Sequence, residues 1–220
     1  MLKMKRAQTK TTALAILLLL LTAPLQAQRV KDMWINMPDS LIPYLNKNMR
    51  TELVDFVNMK VKAEVKNLLG EESVMDTLTS NYLCVTLNEA ATVQMRMLPQ
   101  LNGDSIMCMV RSTHGPATDS ELSFWSKNWQ RLEQKGCTGG AEAQQLLHER
   151  LIVKPDTMTE ARFKELSEMI EPFLVRASLS PTADILTLEV SLPMLSAEDK
   201  KAVKAILMQR KLNWNGETFN

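Results

Sequence analysis

From position 48 onward apolar residues recur at steps of three or four: Leu53, Phe56, Val57, Val61, Val65 and Leu68 make one stripe, while Lys60, Lys62, Glu64 and Lys66 face elsewhere. The spacing predicts a long amphipathic helix with Gly70 as its C′ stop. Upstream, Met37-Pro38-Asp39-Ser40 predicts a short helical turn, because Asp or Ser at a cap accepts orphan backbone N–H bonds. Past Gly70 the period drops to two, which predicts strands over 82–88, 92–98, 105–111 and 121–125. Asn102-Gly103 reads as a type I′ turn, in which both central residues take positive φ. Together these make an antiparallel meander. Opposing Leu83, Val85 and Leu87 to Met97, Met95 and Val93 collects the apolar residues on one face. Closing the next hairpin at Asn102-Gly103 sets Met95 and Met97 beside Val110 and Cys108, so that Cys108 points inward and Cys84 outward.

Between Glu133 and Ala143 lie Gly136, Gly139 and Gly140 around Cys137, a loop composition that marks a boundary between 28–135 and 136–220. In the second part Thr157 and Glu160 stand in capping-box relation before a helix carrying Phe163, Leu166, Met169 and Ile170, which Pro172 ends. Strands over 173–179 and 185–191 follow. Ser196 and Asp199 then cap a last helix with Val203, Ile206 and Leu207 inward, and 212–214 turns at Asn215-Gly216 into the final residues. The fold class is therefore α+β, an antiparallel β-meander packed with helices. Setting Tyr82-Leu83 to Met97 beside Phe173-Leu174 to Val190 shows two helix-plus-hairpin halves, for which gene duplication and the plain frequency of that motif are both open explanations.

The first segment changes the compartment. Lys3, Lys5, Arg6 and Lys10 precede an uninterrupted apolar run from Ala13 to Leu21, and small residues follow up to Ala27. This tripartite pattern reads as a cleavable signal peptide over 1–27, with Gln28 as the new N-terminus. The run is too short to span a bilayer, which takes ~18 or more apolar residues. No cysteine near the cut offers a thiol for acylation, so a periplasmic or secreted product without a stable membrane anchor is expected. Cleavage leaves 22 Lys+Arg against 25 Asp+Glu, a net charge of about −3. Nucleic acid is then not an expected partner, since its binding leans on clustered cations. The three cysteines, Cys84, Cys108 and Cys137, are an odd number for an oxidising compartment. A Cys84–Cys108 bridge is not expected: the two side chains point to opposite faces on strands two spacings, ~10 Å, apart, whereas bridged Cα atoms lie within ~7 Å.

Met37-Pro38-Asp39-Ser40-Leu41-Ile42-Pro43-Tyr44-Leu45, the Leu53-Val54-Asp55-Phe56 step, His114-Gly115-Pro116 with Asp119-Ser120, and the aromatics Phe124-Trp125 to Trp129 together resemble an exported Bacteroidales family. That family is known as a domain of unknown function, number 3256. The resemblance extends over nearly all of the mature chain. It implies an envelope location, and its motifs carry no catalytic residues.

Candidate chemistry is sparse. Only His114 and His148 can serve as the usual acid/base, and His148-Glu149-Arg150-Leu151-Ile152 lacks the second His of a zinc-protease helix. No G-x-S-x-G or phosphate-cradling loop occurs, and no cofactor is expected. Cys137 beside Lys135 could have a lowered pKa, against the plainer reading of a loop thiol. Methionine is abundant, 15 in the whole chain, and the hairpin just described would gather Met95, Met97 and Cys108 as soft ligands for Cu(I). Core filling by flexible Met is the competing reading. Trp125 and Trp129, four apart, are candidates for a contact surface, since Trp is enriched in interface hot spots. Three classes follow: a non-enzymatic envelope protein that binds an unknown protein or small ligand, a hydrolase using His114 or His148, and a soft-metal binder.

Overall fold

The computed structural model describes residues 29–133 and 141–220. The leader 1–27, its cleavage point and the loop residues Gly136, Cys137, Gly139 and Gly140 lie outside the described residues. Helix α1 (Arg29–Ile35), a 3-10 turn (Asp39–Leu41) and helix α2 (Lys47–Asn58) come first. Seven strands follow: β1 (Glu64–Lys66), β2 (Glu72–Leu78), β3 (Tyr82–Asn88), β4 (Ala91–Pro99), β5 (Ser105–Thr113), β6 (Asp119–Trp125) and β7 (Arg131–Leu132). They pair in sequence order, each antiparallel to the next. The second part holds α3 (Ala141–Leu151), α4 (Glu160–Glu168), β8 (Leu174–Leu179), β9 (Ile185–Ser191), α5 (Ala197–Val203) and β10 (Arg210–Asn213). Its strands make a small antiparallel sheet ordered β10-β9-β8. The chain is α+β, with the meander at its centre.

Both faces of the large sheet are covered. On one, Trp34, Leu45, Leu53 and Val54 of the N-terminal segments pack on Leu83, Val85, Leu87, Val93, Met95, Met97, Met107 and Met109. On the other, Ala177, Leu179, Leu186, Leu188 and Phe219 pack on Tyr82, Leu98, Ile106, Cys108, Val110 and Phe124. A strand buried on both sides has no polar alternation, and Ile106-Met107-Cys108-Met109-Val110 are all buried. A third cluster, with Ile152, Leu166, Ile170, Val203 and Ile206, ties together the helices of the second part.

The helix-covered face is held by a buried arginine. Arg50 has no solvent-exposed surface, and it donates to the carbonyls of Trp34 (3.0 Å), Leu45 (2.6 Å) and Met37, while pairing with Asp39 at 2.9 Å. The last carbonyls of a helix have no partner within it; here the guanidinium supplies one for the end of α1. Arg111 donates to the carbonyl of Leu41 in the same loop. Asp39 thus serves the arginine, and no side-chain cap bond forms at the 3-10 turn.

Helix α2 is shorter than its apolar stripe predicts. Lys60 takes φ 58°, its N–H reaching the Val57 carbonyl at 3.0 Å and the Val61 N–H reaching that of Phe56 at 3.1 Å. This is a Schellman stop built on lysine. Val61 and Leu68 are then exposed, and Val65 is buried from β1 instead. Gly70, expected as the helix stop, is the left-handed residue of the β1–β2 hairpin, at φ 85°. Thr159, two residues beyond the expected Thr157, caps α4, accepting from the Arg162 N–H. Ser196 caps α5 as expected, and its hydroxyl accepts from Asp199 N–H. A helix does precede the β8–β9 hairpin, whereas β1 and β2 stand between α2 and the Tyr82 strand.

The largest departure is one residue of register. Gln100 N–H bonds the Asp104 carbonyl and Gly103 N–H that of Gln100; Gly103 is left-handed and Asn102 is not. The loop therefore has three residues, a type I turn with a G1 bulge, in place of the expected two-residue I′ turn. Met95 opposes Met109 and Met97 opposes Met107, while Cys108 lies opposite Arg96. A one-residue slip sends every side chain to the other face. The β3–β4 pairing, Leu83 to Met95 and Val85 to Val93, differs from the expected one by two residues, so its apolar face is kept.

Candidate functional site

Three hairpins of the large sheet close alike. In Asn67–Glu71, Gln100–Asp104 and Ser126–Gln130, the first N–H bonds the fifth carbonyl and the fourth N–H bonds the first. The fourth residue is left-handed, and it is Gly70, Gly103 and Trp129 in turn, with φ of 85°, 80° and 59°. A side chain in that conformation costs about 1–2 kcal/mol relative to glycine, and for a bulky residue it is an outlier. Trp129 accepts this strain and lies at 5.7 Å, ring centroid to centroid, from Trp125. Trp125 donates its indole N–H to Ser123 Oγ at 3.0 Å. The Trp129 indole N–H is buried and meets no hydrogen-bond acceptor among the described residues. Both rings are half-buried against the methionine-rich core.

The β4–β5 and β6–β7 turns share one end of the sheet, and Lys127 of the second pairs with Asp104 of the first. A cleft of about 280 Å³ opens beside them, lined by Asn81, Arg96, Met97, Gln100, Asp104 and Asp184 among others. Its origin is a mismatch of strand lengths: β3 begins at Tyr82 opposite Arg96, yet β4 runs on to Pro99. The notch left beyond Tyr82 is closed by the β8–β9 turn. Arg96, 5 % exposed, spans the two sheets, donating to Asp184 Oδ1 at 2.7 Å and to the Ser180 carbonyl at 2.9 Å. Nearby, Trp214 Nε1 donates to the Pro99 carbonyl at 2.5 Å.

The structure separates the metal candidates. Met95 and Met97 face the helices and Cys108 faces the small sheet, because of the one-residue slip described above. Cys84 and Cys108 share a face, contrary to the sequence expectation, with β4 between their strands, and no disulfide joins the two. Cys84 has its pKa pushed up by burial, with the Asp76 carboxylate adding to the rise and the neighbouring Tyr82 hydroxyl opposing it. It is a thiol in repose rather than an activated one. Among the described residues no group of three His, Cys, Asp or Glu is placed to hold a metal ion.

His114 bonds the Thr118 hydroxyl at 3.3 Å and that of Thr92 at 3.2 Å, so both ring nitrogens face threonines rather than a carboxylate that would orient a base. The ring of His148 lies 5.0 Å from that of Phe173. The two histidines belong to different elements, a turn and α3. Sequence reasoning missed Arg96, Asn81, Asp104 and Asp184. One signal was available: Arg96, a charge between Met95 and Met97 within an apolar strand, marks a position that tertiary packing had to satisfy.

No protein of curated function matches the chain. A solved structure described as a domain of an uncharacterized protein from Porphyromonas gingivalis W83 superposes with a TM-score of 0.65 at 18 % identity, over 87 % of this chain and 96 % of that one. At that identity the likeness concerns the fold. A family model matches residues 22–219, and the chain belongs to that family, described as protein of unknown function (DUF3256).

Proposed function

We propose that this chain is an exported, non-enzymatic binding protein of the cell envelope, periplasmic or secreted, which takes a partner or small ligand at the hairpin end of its large sheet. The observation that carries the reading is Trp129. Two hairpins of the same geometry use glycine where this one holds a strained tryptophan with an unanswered indole N–H. Strain kept at a single position is a pointer to function, and Trp is the residue type most enriched in binding hot spots. The polar cleft at the same end, joined to that turn through Lys127–Asp104, adds a concave surface with converging polar groups. Export rests on the basic, apolar and small-residue succession of the first 27 residues. Among the described residues no helix is long and apolar enough to cross a membrane.

Two measurements test the reading. Mass spectrometry of the protein from the producing cells should find an N-terminus at or next to Gln28; a product retaining residues 1–27 refutes export. A photo-crosslinking residue placed at Lys127 or Trp129 in living cells should give discrete adducts that the same residue at exposed Met194 does not. Equal labelling at both places, or none at the hairpin end, refutes binding there.

A further inference from the structure

We infer that the cleft between Asn81, Arg96, Gln100, Asp104 and Asp184 is a binding site for a neutral, polyhydroxylated small molecule about the size of one sugar ring. This rests on the reading of the hairpin end as the binding end and names the ligand class for its concave part. The charges of the site are already matched: Arg96 with Asp184 at 2.7 Å, and Asp104 with Lys127. An ionic ligand would have to break one of these pairs and leave a charge uncompensated, in the case of Arg96 a buried one. A hydroxyl does not, since it donates to a carboxylate oxygen and accepts from an amide or guanidinium N–H at once. Asp184 and Asp104 supply acceptors, Arg96 supplies donors, and the Asn81 and Gln100 amides supply both. Pairs of such groups on a rigid strand end suit adjacent hydroxyls of a ring, while the exposed Pro99 offers its C–H face an apolar wall. The volume of about 280 Å³ falls just below the ~300 Å³ at which drug-sized ligand sites begin, which limits the ligand to about one ring.

The test is a ¹⁵N-HSQC titration of the mature chain with glucose, N-acetylglucosamine and myo-inositol, beside glycylglycine as a zwitterionic probe and inorganic phosphate as an anionic one. At least one neutral polyol should shift the amides of Asn81, Gln100 and Ser105 saturably. Asn81→Ala with Gln100→Ala, which removes two amides at the mouth, should weaken that binding tenfold or more with the melting temperature kept. Asp184→Asn should weaken it as well, whereas Met194→Ala, at an exposed position outside the cleft, should leave it unchanged. Shifts at the cleft with glycylglycine or phosphate alone overturn the ligand class and leave the binding end standing. Saturation by no probe, or polyol binding indifferent to Asn81→Ala with Gln100→Ala, overturns the site itself. The crosslinking at Lys127 and Trp129 judges the binding end independently of either result.

Discussion

The two faces of the large sheet are closed by different means. The helix side has an apolar middle, and at its margin the buried Arg50 answers several backbone carbonyls at once, while Arg111 reaches the Leu41 carbonyl and Asn67 and Ser73 that of Leu87. The sheet side has an apolar middle ringed by several separate polar links: Arg96 to Asp184, Gln94 Oε1 accepting from Leu179 N–H at 2.7 Å, and Ser191 Oγ accepting from Thr118 N–H at 2.7 Å. Helices expose unpaired carbonyls only at their ends, so one donor-rich side chain serves α1. Sheet packed on sheet meets polar groups all around its rim, and each needs its own partner. The first arrangement gathers several carbonyls on one residue, and the second gives each link its own pair.

Arg50→Ala tests that contrast most strongly. Removing the guanidinium leaves the carbonyls of Trp34, Leu45 and Met37 without their donor, at about 1–3 kcal/mol for each that stays buried, so chemical denaturation should show a loss of at least about 3 kcal/mol. A loss under ~1 kcal/mol, the scale of exposed pairs, would mean that the arginine does not hold the helix side. Arg96→Met should cost less, on the order of 1–3 kcal/mol, because it leaves only one backbone carbonyl, that of Ser180, without its donor and because the other links persist. An effect equal to that of Arg50→Ala would erase the difference between the faces.

Lys60→Gly carries the opposite sign. Relieving the left-handed lysine at the α2 stop should stabilise the helix side by up to ~1 kcal/mol, read as a raised melting temperature; destabilisation would show that the lysine side chain contributes more than its backbone strain costs. The smallest effect vanishes at neutral pH and belongs to the sheet side. Burial raises the pKa of Tyr82, with Cys84 adding to it, and burial likewise raises that of Cys84. Both groups are neutral when protonated and hold their protons more tightly folded than unfolded. Their contribution is whole below the ordinary thiol and phenol pKa values and is lost as pH rises through the folded ones. Stability should fall in alkaline solution, and Tyr82→Phe with Cys84→Ala should flatten that fall; an unchanged slope would assign it to other groups.

Much of the architecture was legible in local pattern. Strand β3 spans the residues its alternation indicates, β9 does so as well, and Ser196 caps α5 through its own hydroxyl. These features depend on neighbours a few residues away, where side-chain period and capping chemistry act directly. The contact candidates Trp125 and Trp129 were legible as aromatics four apart, but neither the left-handed backbone of Trp129 nor the cleft beside it was. Arg96 and Asp184 meet across 88 residues of chain, and no local pattern encodes such a meeting.

By itself the sequence determined the α+β class, the strands from β3 to β6 and from β8 to β9, their apolar content and family membership, all of them matters of composition and short-range period. Tertiary structure decided where the α2 stripe breaks, which side Cys108 takes and what gathers at the hairpin end. The reason is physical. A three-residue loop and a two-residue loop at Asn102-Gly103 differ little in local energy, yet they assign opposite faces to every residue of β5, and with both faces buried only the packing of helices on one side and a second sheet on the other selects between them.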